Sequence, residues 1–236
     1  MEVGGFVPLP RGEARHISKV LRGRDGDLLE VVDSERRLFA AELRDGGRSL
    51  AVVERVPAPE DGGEVTLYAA VPKGRHMDLV VEKSTELGVG RIVPLITEHG
   101  VVRLDDSRSK VDRWRRVAEA AARQSLRLRV PEVAGPMSFR DAAEEAGGSG
   151  VLLHNIGEIQ RLEEFVVGPP VGLFVGPEGG WSDVEVEEAL GFGLSLARMG
   201  VYRLRSETAG IVAVARAMAV LENRDSGAVR ALGEEM

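Results

Sequence analysis

The stretch FVGPEGGW, Phe174–Trp181, sets a glycine-rich turn after the apolar run Val171–Val175 and before SDVEVEEAL. The run is short and apolar, as a buried strand is, and Ser182 with Glu185 makes the Ser-x-x-Glu capping box that opens a helix. Strand, glycine turn and helix in that order most often cradle a phosphate on backbone N–H groups. Glu178 argues against a phosphate, because its carboxylate would repel one, and no Lys-Ser or Lys-Thr pair follows Gly180 to complete a P-loop. The loop suits a neutral or cationic ligand; otherwise Gly176, Gly179 and Gly180 only make a tight strand-to-helix connection.

Strand and helix signals alternate outward from this stretch. VTLYAAV is a continuous apolar strand, HMDLVVEKSTELG has helical spacing closed by Gly88, and RIVPLIT is again a buried-type strand. A helix around Val111 to Leu126, the strand GVLLHN and a last helix from Glu207 to Glu222 continue the pattern. That last helix carries Ile211, Val214, Met218 and Leu221 on one stripe, suited to a core or to a partner subunit. Such alternation predicts an α/β fold with a mainly parallel sheet. The first sixty residues differ: LLEVVD, RLFAAELRD and SLAVVERV are short strands bounded by Arg-Asp-Gly-Asp, Asp-Ser-Glu and Asp-Gly-Gly, which predicts a small antiparallel β unit. PAPEDGGE, Pro57–Glu64, is rich in breakers and poor in apolar residues, so the predicted domains are 1–62 and 63–236.

Composition narrows the chemistry. With 236 residues and 43% hydrophobic content the chain is long enough for an ample core, and it has no bilayer-length apolar run and no basic-apolar leader, so a soluble, cytoplasmic protein is expected. It has no cysteine, which removes disulfides, thiolate-bound zinc, iron–sulfur clusters and thiol nucleophiles. The 4 histidines, His16, His76, His99 and His154, are scattered, so no metal site is expected. A net charge of -7 argues against indiscriminate nucleic-acid binding, yet two segments are basic. RGEARHISKVLRGR sets Arg11, Arg15, Lys19, Arg22 and Arg24 against Glu13 alone, and Arg103 to Arg129 holds nine basic residues against Asp105, Asp106, Asp112 and Glu119. The compensating acids gather from Glu158 to Glu164 and from Glu178 to Glu188. Basic runs are usually solvated helix faces, but two in one acidic protein point toward an anionic polymer.

One further segment concentrates chemistry. Leu204-Arg205-Ser206-Glu207-Thr208-Ala209 brings a cation, an acid and two hydroxyls to the start of the last helix, where ligand sites are often built. Taken in order, KGRHMDLVVEKSTELGV, AARQSLRLRVPEV, GPEGG and LRSETA, preceded by a small β domain containing HISKVLRGRDGD, resemble the RsmE family of the SPOUT class. Members methylate N3 of a uridine in 16S ribosomal RNA, and the resemblance covers nearly the whole chain.

The resemblance implies an N-terminal PUA-like β-barrel that engages RNA, and a C-terminal α/β domain whose last segment threads a trefoil knot. S-adenosylmethionine would lie among three loops: Leu153 and His154 in the first; Gly176, Pro177, Glu178 and Gly180 in the second; Met199, Gly200, Leu204, Arg205, Thr208 and Ala209 in the third. A cationic sulfonium tolerates the acid at Glu178 that a phosphate would not. Methyl transfer needs no metal, and uridine N3 must lose its proton, so Arg205 is the candidate for holding the resulting anion and Glu207 for the proton or for orienting Arg205. Either could instead be part of an ion pair that pins the loop. Arg15, His16, Arg22, Arg123 and Arg127 are the candidate contacts to 16S RNA or the small ribosomal subunit, fixing register rather than sequence. A homodimer is implied as well. Two features depart from the family pattern: Tyr202 stands where an arginine is usual, and Gly5-Phe6-Val7 lacks the arginine usual before its phenylalanine. The alternatives are a non-catalytic RNA-binding assembly factor on the same fold, and a methyltransferase acting on another RNA or on ribose O2′.

Overall fold

Three of the four N-terminal strands are those the turn signals bound. The computed structural model describes residues 1–57, 64–100, 107–155 and 160–233, so most of the Pro57–Glu64 boundary lies outside the described residues, as do Arg103, Asp105, Asp106 and Glu158. Strands β1 (Phe6–Pro8), β2 (Leu28–Val32), β3 (Leu38–Arg44) and β4 (Ser49–Arg55) form an antiparallel sheet in the order β1-β4-β3-β2. On β3 and β4, Ala41, Leu43 and Leu50 face inward onto Ile17, with the period of two that a half-buried strand imposes. Ile17 explains a feature the strand pattern did not predict. The basic segment is helical, α1 (Arg11–His16) running into a π-helical turn (Ile17–Leu21), and the buried Ile17 side chain attaches it to the core.

The chain divides into two compact units, Met1–Asp61 with Leu126–Arg129, and Gly62–Ser125 with Val130–Met236. The short segment Leu126–Arg129 thus groups with the N-terminal unit although it lies inside the span predicted for the second domain.

The second unit is α/β, as expected. Its strands are β5 (Val65–Ala70), β6 (Arg91–Ile96), β7 (Glu132–Val133), β8 (Met137–Ser138), β9 (Gly150–Leu153), β10 (Val171–Val175) and β11 (Ser195–Ala197). All pair in parallel, in the order β11-β9-β10-β5-β6-β7, with β8 also on β6. Its helices are α2 (His76–Glu86), α3 (Ser107–Gln124), α4 (Phe139–Ala146), α5 (Leu162–Phe165), α6 (Asp183–Gly191) and α7 (Ser206–Gly233). Alternate strand residues go to opposite faces. Leu67, Leu173 and Val175 pack with Met77, Val80, Trp114, Val214 and Met218 of α2, α3 and α7, whereas Tyr68, Leu152 and Phe174 pack with Phe139, Ala142 and Ala189 of α4 and α6. Three layers result, with the sheet buried on both sides, which is why its strands read as continuous apolar runs.

Gly88 closes α2 at φ +100°; its N–H donates to Thr85 and that of Val89 to Ser84, the paired bonds of a Schellman cap. Val214 and Met218 of the α7 stripe lie in the chain's own core, leaving Ile211 and Leu221 half-buried. Among the described residues no helix is long and apolar enough to cross a membrane.

Candidate active site

In an open parallel sheet the carboxyl ends of the strands share one edge, and the loops that leave them build the ligand site. Here β9, β10 and β11 are neighbours, with Ala197 in register with Leu153, and Phe174 with Leu152. Their exits place side by side the segments beginning at His154, Gly176 and Arg198. A fourth exit, from β5 on the other side of β10, carries Lys73, Gly74 and Arg75 into α2.

These exits are cross-braced. The Trp181 indole N–H donates to the Leu153 carbonyl at 2.9 Å, tying the second loop to the first. The His154 N–H donates to Ala197 O at 2.9 Å, tying the first to the third. The Arg203 guanidinium donates to the Glu178 carbonyl at 3.1 Å, and the Lys73 N–H reaches the Glu178 carboxylate at 3.4 Å, so Glu178 joins the third loop and the β5 exit to the second. Arg216 of α7 donates to the Met199 carbonyl and pairs with Glu163 of α5, fixing the start of the third loop. Burial pushes the Glu163 carboxyl up, but hydrogen bonds from its own backbone and from Arg216 outweigh that and hold it below its usual range.

The second loop is a tight turn, with Gly180 N–H donating to Pro177 O at 2.9 Å and Gly180 at φ +80°. The capping box of α6 forms, and the free oxygen of Glu185 accepts the N–H of Glu98 at 3.0 Å. Gly176 is required by its neighbour: a Cβ there would stand 2.9 Å from the Trp181 indole. Gly176→Ala is therefore expected to push the ring off Leu153 and cost about 1–3 kcal/mol, read from urea unfolding of the full chain. An unchanged midpoint would show that the indole shifts freely and that the glycine is dispensable.

Of the remaining candidates, Pro177 and Met199 are buried, Leu204 and Ala209 half-buried, and Gly200, Arg205 and Thr208 exposed. His154 is half-buried, and burial lowers its pKa, so it is neutral at neutral pH. Glu207 is only 8% exposed and faces His76, with Nδ1 3.5 Å from its carboxylate. No Arg205–Glu207 pair is recorded among the described residues; Glu207 meets His76 instead. Ser206 Oγ, at the first position of α7, is buried without a partner, and an orphaned hydroxyl beside a helix N-terminus is a place for a ligand atom. Sequence reasoning missed His76, Lys73, Trp181, Arg203 and Arg216, all of which act here through contacts between distant segments.

Arg15, His16 and Arg22 are exposed on α1 and at the end of the π-helical turn in the N-terminal unit, to which Arg127 also belongs; Arg123 is exposed on α3 of the second unit. Among the described residues no group of three His, Asp or Glu side chains is placed to hold a metal ion.

A family model for the RNA methyltransferase domain matches residues 59–218. That match, on a parallel sheet with its braced loops at one edge, defines the second unit as an RNA methyltransferase domain. A ribosomal RNA small subunit methyltransferase E from Synechocystis sp. is 32% identical over 233 residues, covering 92% of this chain and 74% of its own. The protein of that name from Mycobacterium bovis is 31% identical over 235 residues, covering 94% and 89%. The crystal structure of a ribosomal RNA small subunit methyltransferase E from Neisseria gonorrhoeae bound to S-adenosyl methionine matches with a TM-score of 0.76 at 27% identity, over 94% of each chain. The chain belongs to the ribosomal RNA small subunit methyltransferase E family.

Proposed function

We propose that this protein transfers a methyl group from S-adenosylmethionine to N3 of a uridine in 16S RNA of the small ribosomal subunit. The observation that carries this is the braced trio of loops at the ends of β9, β10 and β11, in a chain whose fold matches a relative solved with S-adenosyl methionine bound. The residues fit such a ligand. Leu153 and His154, Gly176 to Gly180, and Met199 to Ala209 surround it; Ser206 Oγ offers an unused hydrogen-bonding group, and Glu178 and Glu207 bring negative charge while His154 adds no positive charge. When bound, the cofactor supplies an electrophilic methyl group on a cationic sulfur.

The chain's own task is to orient the uridine and manage charge as N3 loses its proton. Arg205 takes the anion that spreads over the flanking carbonyl oxygens, and Glu207 backs the group that receives the proton. Arg15, His16, Arg22, Arg123 and Arg127 hold RNA phosphates, and the target must be unpaired, because N3 is occupied in a Watson–Crick pair. The N-terminal unit acts as a PUA-like RNA-binding module, the C-terminal segment threads the knot of its class, and the protein works in the cytoplasm as a homodimer without a metal.

Incubation with methyl-labelled S-adenosylmethionine and either small ribosomal subunits or naked 16S RNA, followed by nucleoside analysis, is expected to yield 3-methyluridine. Label on ribose O2′ or on another base would overturn the acceptor. Cofactor binding with no transfer to either substrate would mean that the RNA or the acceptor is wrong, and absence of cofactor binding would favour an assembly factor.

A further inference from the structure

Glu207 is the charged residue of the third loop that the fold withdraws from water, and its one recorded side-chain partner among the described residues is His76. Burying a carboxylate is costly unless something compensates it. The imidazole is placed differently: its side chain is 50% exposed, and Nδ1, the nitrogen nearer the backbone, is the one that meets Glu207, at 3.5 Å. A carboxylate against Nδ1 selects the tautomer that carries hydrogen on Nδ1 and leaves a lone pair on Nε2, directed away from the acid. The separation is that of an ion pair rather than a formed hydrogen bond, a looseness common at sites not yet closed on their substrate.

The location supports a role in the reaction. His76 begins α2, three residues after Lys73, whose N–H holds Glu178 of the second loop, and Glu207 follows Arg205 by two residues in the third. The pair therefore joins the exit of β5 to the cofactor loops. The other histidines are otherwise engaged or placed: His99 Nδ1 meets the Gly180 carbonyl at 3.1 Å, His154 is half-buried, and His16 lies in the N-terminal unit.

We propose that His76 is the proton acceptor for the uridine, with Glu207 as the positioning residue that sets its tautomer and stabilises the imidazolium. The inference rests on the methyltransferase reading above. The N3–H bond breaks and its proton goes to Nε2 of His76; the electron pair left on N3 forms the bond to the methyl carbon as the carbon–sulfur bond breaks toward sulfur. The products are 3-methyluridine, a neutral thioether and an imidazolium that returns its proton to water through its exposed edge. The charges around His76 are Glu207 of α7, Asp78 of α2 paired with Arg113 of α3, and Lys73 and Arg75 of the preceding loop; the other charged residues of the second and third loops are Glu178, Arg198, Arg203 and Arg205.

The test uses the full chain with small ribosomal subunits. His76→Asn keeps a donor near the position of Nδ1 but has no basic nitrogen. It is expected to bind S-adenosylmethionine within about threefold of wild type and to transfer methyl at least about 100-fold more slowly in a single turnover. Its rate should keep rising with pH where the wild-type rate has levelled off, and free imidazole should restore part of the rate of His76→Ala. Nitrogen-15 spectra of the histidine rings should show hydrogen on Nδ1 of His76 in the wild type and a change in Glu207→Gln. A wild-type rate and pH profile in His76→Asn, loss of cofactor affinity in step with activity, or hydrogen on Nε2 in the wild type would each overturn the proposal. If the wild-type protein makes no 3-methyluridine, the methyltransferase reading fails instead, and the ring spectra still decide whether the pair exists.

Discussion

Arg205→Ala is expected to lower the single-turnover rate of methyl transfer about 10³-fold, with little change in fold stability. Both halves follow from its position. Its carbonyl accepts the N–H of Ala209 at 2.8 Å, the first bond of α7, so Arg205 is the residue that caps this helix. A cation there opposes the positive end of the helix dipole, at a cost of about 0.3–1 kcal/mol, and the side chain is exposed with no recorded partner among the described residues. An arginine that opposes the dipole and pins nothing is not there for stability. Its guanidinium presents a planar fork of donors, suited to a uracil anion whose charge lies on two carbonyl oxygens.

Urea unfolding of Arg205→Ala should therefore stay within about 0.5 kcal/mol of wild type, while the cofactor affinity measured by calorimetry changes little. Arg205→Lys should recover only part of the rate, since a point charge cannot make both contacts. A parallel loss of cofactor affinity would move Arg205 from the substrate to the cofactor. A stability loss of several kcal/mol would make it a structural pin.

What the sequence revealed follows the range of the interactions involved. The capping box at Ser182, the glycine stop at Gly88 and the continuous apolar runs of β5, β6, β9 and β10 are local signals, and each marks its element. The short pieces were not legible. β11 has three residues and exists because β9 lies beside it, and β1 likewise depends on β4. α4 is eight residues of Phe139–Ala146 between glycine-rich flanks, too short for its period to stand out.

The site divides in the same way. Gly176, Glu178, Arg205 and Glu207 stood out through glycine content and charge at element junctions, whereas His76 was one of four scattered histidines until α7 placed Glu207 against it. Nothing local marked Trp181, whose N–H spans 28 residues to Leu153. Arg216 lay within an apolar helix, and only the fold gives it Met199 and Glu163 as partners. The resemblance supplied the cofactor and the substrate, which spacing alone did not.

Asp33→Ala is expected to cost about 3–5 kcal/mol, localised in the N-terminal unit. Asp33 follows β2 and closes its hairpin with β3: one carboxylate oxygen accepts the N–H groups of Glu35 and Arg37, each at 2.9 Å, and the other accepts the Arg37 guanidinium at 2.9 and 2.7 Å and the Met1 ammonium at 3.0 Å. The Asp33 side chain is 3% exposed, so its removal strands five donors and leaves Arg37 without its principal counter-ion. Burial pushes the carboxyl up, but the Arg37 side chain and the backbone N–H groups outweigh it and hold the pKa well below the ordinary value of 3.8. A depressed folded value means that the stabilisation is fully present above about pH 4 and is lost as the pH falls through the folded value. Hydrogen exchange should show β2 and β3 of the variant losing protection while β9 and β10 keep theirs, and the acid dependence of the wild-type hairpin should vanish in the variant. Because Arg15, His16 and Arg22 belong to the same unit, the variant should also need more RNA to saturate, with cofactor affinity intact. Protection of β2 and β3 unchanged in the variant would mean that the turn holds without its carboxylate, and the separation of RNA capture from cofactor binding would then have to be sought in the arginines themselves.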